Sequence, residues 1–594
     1  LKFIDDKLES VDLHLKPLLI LDPHNLSSAQ VAASFAEYEE VTDWFGLRRY
    51  WEWECLDGER HPRPVVIRVV DSSVRTQNDV PWDIARQATV VNLTTHFSDD
   101  IALLLLEIPE RIADGLFSSK NDTELLRNAA RHYGVDLRHD ATAIEQLKAA
   151  ITLLIRIDIP EPVRHSVIAG IKDPATLGLI HGDPVTELQD AWDAWLVDSD
   201  DPAAKIINDL GPSLSSLFSL QVLRPGTASR DLPSWASIGV TSRSDDDEME
   251  VLLKSVCDDD PDDLNSWIRF ASEWGKIRHQ LATATMSDGL IHTAQELHQS
   301  RLGLFENWIQ ENYGPLLTTS PAWPVTVHKV NDFLRSRMTR GEAERIVLLV
   351  LDGLGLSQWA QIEQSGEIEI LEATPIMAVI PTVTSISRQA IFAGRLPREF
   401  SDTLGSNVKE GERWRTYWRD SVGLANHEIE YSHTDGFHYE RSLGIGNYKV
   451  QGIAALAIDK LVHSAGPYLD RQLTAGVEYW LREGFLKSLA EEARTARAEL
   501  WITSDHGNMV CNGIGAFPPG VLGATASVRA QGFESETARS ASSAPGIDWN
   551  TGLPDNLHVR MAERDGAFIQ SGQKRITHGG ISFEEVFVPF ARIA

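Results

Sequence analysis

The last 250 or so residues of this 594-residue chain alternate short apolar runs with stretches of helical periodicity. That alternation restricts them to a layered α/β domain. Strands are expected at 346–351, 376–380, 428–431, 499–503, 557–561 and 586–591, with helices at 385–392 and 479–497. Residues 513–549 are rich in Gly, Ala, Ser and Pro and read as a mobile insertion.

The remainder is too long to share that core, so two to four domains are expected. Residues 1–100 read as a separate α/β domain, with strands at 18–21, 65–70 and 89–93. Asp22-Pro23 at the end of the first reads as a strand-terminating turn. Residues 101–324 turn mainly helical. The acidic stretches 198–201, 245–248 and 258–263 read as solvated connections, and Trp192, Trp195, Trp267 and Trp274 as packing residues.

No run of 18 apolar residues suggests a membrane span. The opening residues Leu1 to Asp6 lack the basic-then-apolar pattern of a signal peptide. Three distant cysteines, Cys55, Cys257 and Cys511, provide neither a disulfide framework nor a thiolate metal cluster, which suits a reducing, cytoplasmic setting. Any metal must then be held by Asp, Glu and His. A net charge of −31 disfavours non-specific wrapping of nucleic acid, although a local basic groove remains compatible with it.

Several expected strands of the C-terminal α/β domain end in residues able to bind metal or attack phosphorus, the edge where open α/β sheets place ligands. Asp352-Gly353 closes the first; by itself it is also an ordinary turn. Pro381-Thr382-Val383-Thr384-Ser385 follows the second and opens a helix, where a hydroxyl is either a helix cap or a nucleophile beside an anion site. Ser504-Asp505-His506-Gly507-Asn508 follows another, and adjacent Asp and His offer hard O and N donors. His578-Gly579-Gly580 precedes the last, and His433-Thr434-Asp435-Gly436-Phe437-His438 lies between.

This ordered set resembles the PglZ branch of the alkaline-phosphatase superfamily over about 325–594, with a looser likeness upstream to the PglZ proteins of BREX phage-defence systems. The resemblance implies two divalent metal ions, zinc or manganese. It implies Asp352, Thr384, Asp505 and His506 as ligands of the first metal, with Thr384 also the nucleophile. Asp435, His438 and His578 would serve the second, with His433 as an alternative to His438 because the spacing is one residue short of the family pattern. Arg388 would hold a phosphate oxygen or serve only a surface or helix-pairing role. Threonine cannot supply the aldehyde that sulfatases use, so sulfate esters are disfavoured. The implied function is a phosphodiesterase in BREX defence, acting on a phosphoester such as nucleic acid or nucleotide, alongside a DNA methyltransferase. A phosphomonoesterase or mutase acting on a small metabolite, and a non-catalytic scaffold with a vestigial core, are the alternatives.

Overall fold

Four short strands, β1 (Leu18–Leu21), β2 (Glu39–Val41), β3 (Val66–Val69) and β4 (Thr89–Asn92), pair in parallel in the order β2-β3-β1-β4. These coordinates are a computed structural model. It describes the chain apart from residues 1, 10–15, 28–29, 32–33, 36–37, 53–65, 72–76, 94–96, 109, 117, 157, 184, 200, 202–204, 221, 227–231, 234–235, 237–238, 240–242, 258–259, 285, 320–321, 401–408, 440–441, 467–468, 519 and 521–526. Cys55, residue 65 of the expected second strand, and parts of the acidic stretches and of 513–549 therefore lie outside the described residues.

The sheet belongs to a first compact unit, Leu1–Leu153 with Ile159–Leu177. Asp22 ends β1 as a turn: its carboxylate accepts from the backbone of Leu26 and Ser27 and pairs with buried Arg68 at 2.7 Å. A buried ion pair of this kind is tolerated because its remaining lone pairs are hydrogen-bonded.

The second unit comprises Leu154–Asp158 and Gly178–Ala594. Its helical part contains α1 (Leu264–Thr283) and α2 (Asp288–Thr318). The sheet that follows contains β5 (Ile346–Leu351), β6 (Glu372–Ala373), β8 (Ile429–Thr434), β9 (Val450–Ala455), β10 (Glu499–Thr503) and β18 (Phe590–Arg592), in the order β6-β18-β10-β5-β9-β8. Strands β8, β9, β5 and β10 are parallel, and β18 and β6 run antiparallel at one edge. Every residue of β5 is buried, because both faces of a parallel sheet are covered. Ile346, Leu348 and Val350 pack into one core with Trp267 and Phe305; Val347, Leu349 and Leu351 pack into another with Trp480 and Leu489. The tryptophans of α1 are thus core residues, and α1 lies so close to α3 (Leu356–Ser365) that a Cβ on Gly275 would sit 2.7 Å from the Leu356 carbonyl oxygen.

Several sequence expectations change here; the strand expected over 586–591 is two short strands in different sheets, Phe587–Val588 and Phe590–Arg592. The helix expected over 479–497 is two helices, Asp470–Arg482 and Phe485–Ala496, parted at Gly484, whose φ of +76° is left-handed and suits glycine. The segment read as a mobile insertion instead carries β12 (Ala530–Phe533), a short helix and β13 (Ile547–Trp549). Both strands pair with β14 (His558–Met561). Short strands β7 (Ile376–Met377), β11 (Met509–Gly513), β15 (Gly566–Ala567), β16 (Lys574–Thr577) and β17 (Phe587–Val588) complete the fold. So do three helices used below, α4 (Thr384–Ala393), α5 (Ala457–Ser464) and α6 (Phe583–Val586). Among the described residues, no helix is long and apolar enough to cross a membrane.

Candidate active site

The parallel register places the carboxyl ends of β10, β5 and β9 side by side, with Thr503 opposite Val350 and Leu351 opposite Ala455. The three loops that leave these ends carry Asp352, then Asp505 and His506, and, one turn into α5, Asp459 and His463. Ligand atoms of Asp352, Asp505 and His506 lie within 4.8 Å of one another; so do those of Asp459, His463 and His578.

Thr384 opens α4 and faces the first set. The residue capping the helix is Val383, with no side-chain cap bond, so the Thr384 hydroxyl is not spent on capping. Its Oγ1 lies 2.9 Å from His506 Nε2. His506 Nδ1 lies 3.0 Å from the Gly507 carbonyl oxygen, which holds the proton there and leaves a lone pair on Nε2. His578 is arranged the same way, with Nδ1 2.9 Å from the Thr382 carbonyl oxygen. The neighbouring hydroxyls tie the loops together: Thr382 Oγ1 donates to the Gly580 carbonyl and accepts from Gly579 N–H, and Ser387 Oγ donates to the Asp505 carbonyl at 2.6 Å.

The donor sets fit divalent metal. Asp352 Oδ1 and Asp505 Oδ2 are buried without a hydrogen-bond partner, an arrangement that costs several kcal/mol unless a cation completes it, while Asp459 Oδ1 is paired with His463 Nε2 at 3.1 Å. Burial, reinforced by the carboxylates of Asp505 and Asp459, pushes the Asp352 carboxyl well above its ordinary range. Burial also raises Asp505, against the pull of Arg388. It lowers His506 and His578, so both imidazoles are held in the neutral form a metal requires.

The residues expected for the second set lie apart from one another. Asp435 and His438 do not join His578. Asp435 Oδ1 accepts from Phe437 N–H in its own turn, and His438 Nδ1 pairs with Glu483 at 3.0 Å. His433 is exposed on β8 and belongs to neither set. The reason is sheet order: β8 is the edge strand, with β9 between it and β5. The sequence reading missed β9, a run of small residues, and with it Asp459 and His463. Their signal was an Asp and a His four residues apart on one helix face, directly after a strand.

Arg388 is also placed differently from a free phosphate clamp. It is buried, with Nη1 on Asp352 and Nε 2.8 Å from Glu410 Oε1; the Tyr431 hydroxyl donates to the other oxygen of Glu410. Its guanidinium orients Asp352.

Residues 326–593 match the family model described as the BREX system PglZ alkaline phosphatase-like domain. They form a PglZ domain. The alkaline phosphatase-like character of the PglZ domain supports a phosphoesterase. No curated protein matches the chain at the sequence level. Among solved structures, the chain is similar to murine ectonucleotide pyrophosphatase/phosphodiesterase 5, with a TM-score of 0.28 and 10% identity over 42% of this chain and 88% of that one. The human counterpart aligns with a TM-score of 0.27 and 11% identity, covering 42% and 87%. Phosphonoacetate hydrolase from Sinorhizobium meliloti 1021 aligns with a TM-score of 0.26 and 10% identity, covering 42% and 90%.

Proposed function

We propose that the PglZ domain is a metal-dependent phosphohydrolase, a phosphodiesterase with Thr384 as its nucleophile. One observation carries the reading: the Thr384 hydroxyl, free of a capping role, stands at a helix N-terminus against His506 and the unpartnered oxygens of Asp352 and Asp505. Divalent ions held by Asp352, Asp505 and His506, and by Asp459, His463 and His578, would supply positive charge for the phosphoryl oxygens and lower the pKa of a hydroxyl.

The chain's own groups do the rest. Thr384 gives up its proton to solvent, and Oγ1 attacks phosphorus in line with the leaving oxygen, which departs and takes a proton from solvent. The amino end of α4 favours the negative charge carried by the phosphoryl oxygens. Water then attacks the phosphorus held on Thr384, which still carries its second ester group, and a proton returns to Oγ1 as the phosphate monoester leaves. Arg388 and Glu410 keep Asp352 in place throughout. The name of the family points to BREX phage defence; on that reading the substrate is a nucleic acid or nucleotide diester, and a DNA methyltransferase is among the partners.

The test is hydrolysis of an activated phosphodiester by wild type and Thr384→Ala with added zinc or manganese. The substitution is expected to lower the rate at least about 1,000-fold, roughly 4 kcal/mol of barrier. Equal rates in the two proteins refute Thr384, and no turnover by metal-loaded wild type refutes the diester substrate.

A further inference from the structure

The loop that carries Asp505 and His506 is braced from outside the matched PglZ residues. Arg278, on α1 and 8% exposed, reaches it with a guanidinium whose donors are all engaged. Its Nη1 donates to the Asn508 carbonyl and its Nη2 to Asn508 Oδ1 at 3.1 Å. The same group pairs with Asp470 at 2.6 Å and with Glu584 at 3.2 Å. Asn508, fixed at both backbone and side chain, donates through Nδ2 to the Gly353 carbonyl at 2.9 Å and to Gln358 at 2.8 Å. Gly353 N–H in turn donates to Asp505 Oδ1 at 3.2 Å. An unbroken series of hydrogen bonds therefore runs from α1 to a candidate metal ligand.

Glu584 anchors the other end. It takes Arg278, the Trp274 indole N–H at 3.2 Å and His298 Nε2 at 2.7 Å, with the Trp274 and His298 rings stacked 4.9 Å apart. Burial opposes the charge on Glu584, but His298 and Arg278 outweigh it and hold the carboxyl down at about 2. Its neighbour Glu585 accepts Gly507 N–H on its carbonyl and Gly580 N–H on its carboxylate, both at 2.9 Å, and pairs with buried Arg529 at 3.2 Å. Helix α6 thus grips both loops, and a Cβ on Gly507 would lie 2.0 Å from the Glu584 carbonyl oxygen. Burying this much charge is costly compared with apolar packing of the same volume; what it yields is a fixed position.

We propose that the helix pair α1–α2 is a working part of the metal centre, with Arg278 a positioning residue that sets the Asp505-His506 loop through Asn508 and Glu584. This rests on the metal-dependent reading above. Second-layer partners of metal ligands typically govern affinity by roughly 10- to 100-fold. The test uses the full chain, stripped of metal and titrated with zinc alone in competition with a chromophoric chelator. Arg278→Lys keeps the charge but loses the fork that holds Asn508 at two points. We expect it to bind zinc roughly tenfold more weakly while its circular dichroism is unchanged. His298→Gln, which loosens Glu584 from a half-buried position, should shift affinity in the same direction by about threefold or more. A merely structural role predicts lower melting temperatures with zinc affinity within twofold of wild type, and that result in either folded variant overturns the proposal. Wild type that takes up no zinc overturns the metal reading itself, a distinct outcome.

Discussion

The imidazole rings of His506 and His578 stack face to face, their centroids 3.7 Å apart and their planes 8° from parallel. The contact joins two donor sets that come from different parts of the chain. Burial, and for His578 the neighbouring His506, keeps these rings from charging. Each Nδ1 is committed to a backbone carbonyl, so each Nε2 lone pair is available to the set beside it.

The membership of the second set is open to direct measurement. Asp459→Asn is expected to lower bound zinc from two ions per chain to one, while Asp435→Asn retains both. Elemental analysis of the purified variants decides it, and loss of an ion from the Asp435 variant alone would restore the assignment that the family resemblance implied.

Arg388 distinguishes a structural tie from a substrate clamp. Arg388→Met leaves Asp352 and Glu410 buried without a counter-charge, an expected loss of about 3–5 kcal/mol. Urea unfolding of the metal-free protein measures it. Unchanged stability with a raised KM would show that the guanidinium serves the phosphate instead.

Glu306 gives a pH signature away from the site. Burial, only partly offset by the Arg564 backbone N–H, raises its carboxyl from 4.5 to about 7. A carboxyl raised by folding favours the folded state most below its unfolded value, and that advantage is lost as pH rises from about 4.5 to 7. Glu306→Gln should therefore be more stable than wild type at pH 8, by up to about 3 kcal/mol, and no more stable at pH 4. Parallel stability curves at the two pH values contradict this.

Metal should also act as a stability ligand. Zinc at a hundred times its Kd is expected to stabilise the fold by about 2.7 kcal/mol for each ion bound, reversed by chelation. In the chelated state Asp505→Asn should melt at or above wild type, because one of three crowded carboxylates is gone. A chelated variant that melts well below wild type would mean that the carboxylates are not in electrostatic conflict.

By itself the sequence determined the layered α/β class of 325–594 and the positions of β5 and β10, which are apolar runs of strand length. Asp352, Thr384, Asp505 and His506 each adjoin a strand or helix boundary, so local chain geometry alone brings these side chains to the sheet edge. Only tertiary structure brought Asp459, His463 and His578 together. Which strand end lies next to β5 is a matter of sheet order, and the weakly apolar β9 displaced the more conspicuous His433–His438 segment to the rim. It also decided that 530–549 is built into a sheet and that Arg388 is spent on carboxylates. The engagement of Arg278 with Asn508 is likewise tertiary, since residues 230 apart in sequence meet only when two buried faces close.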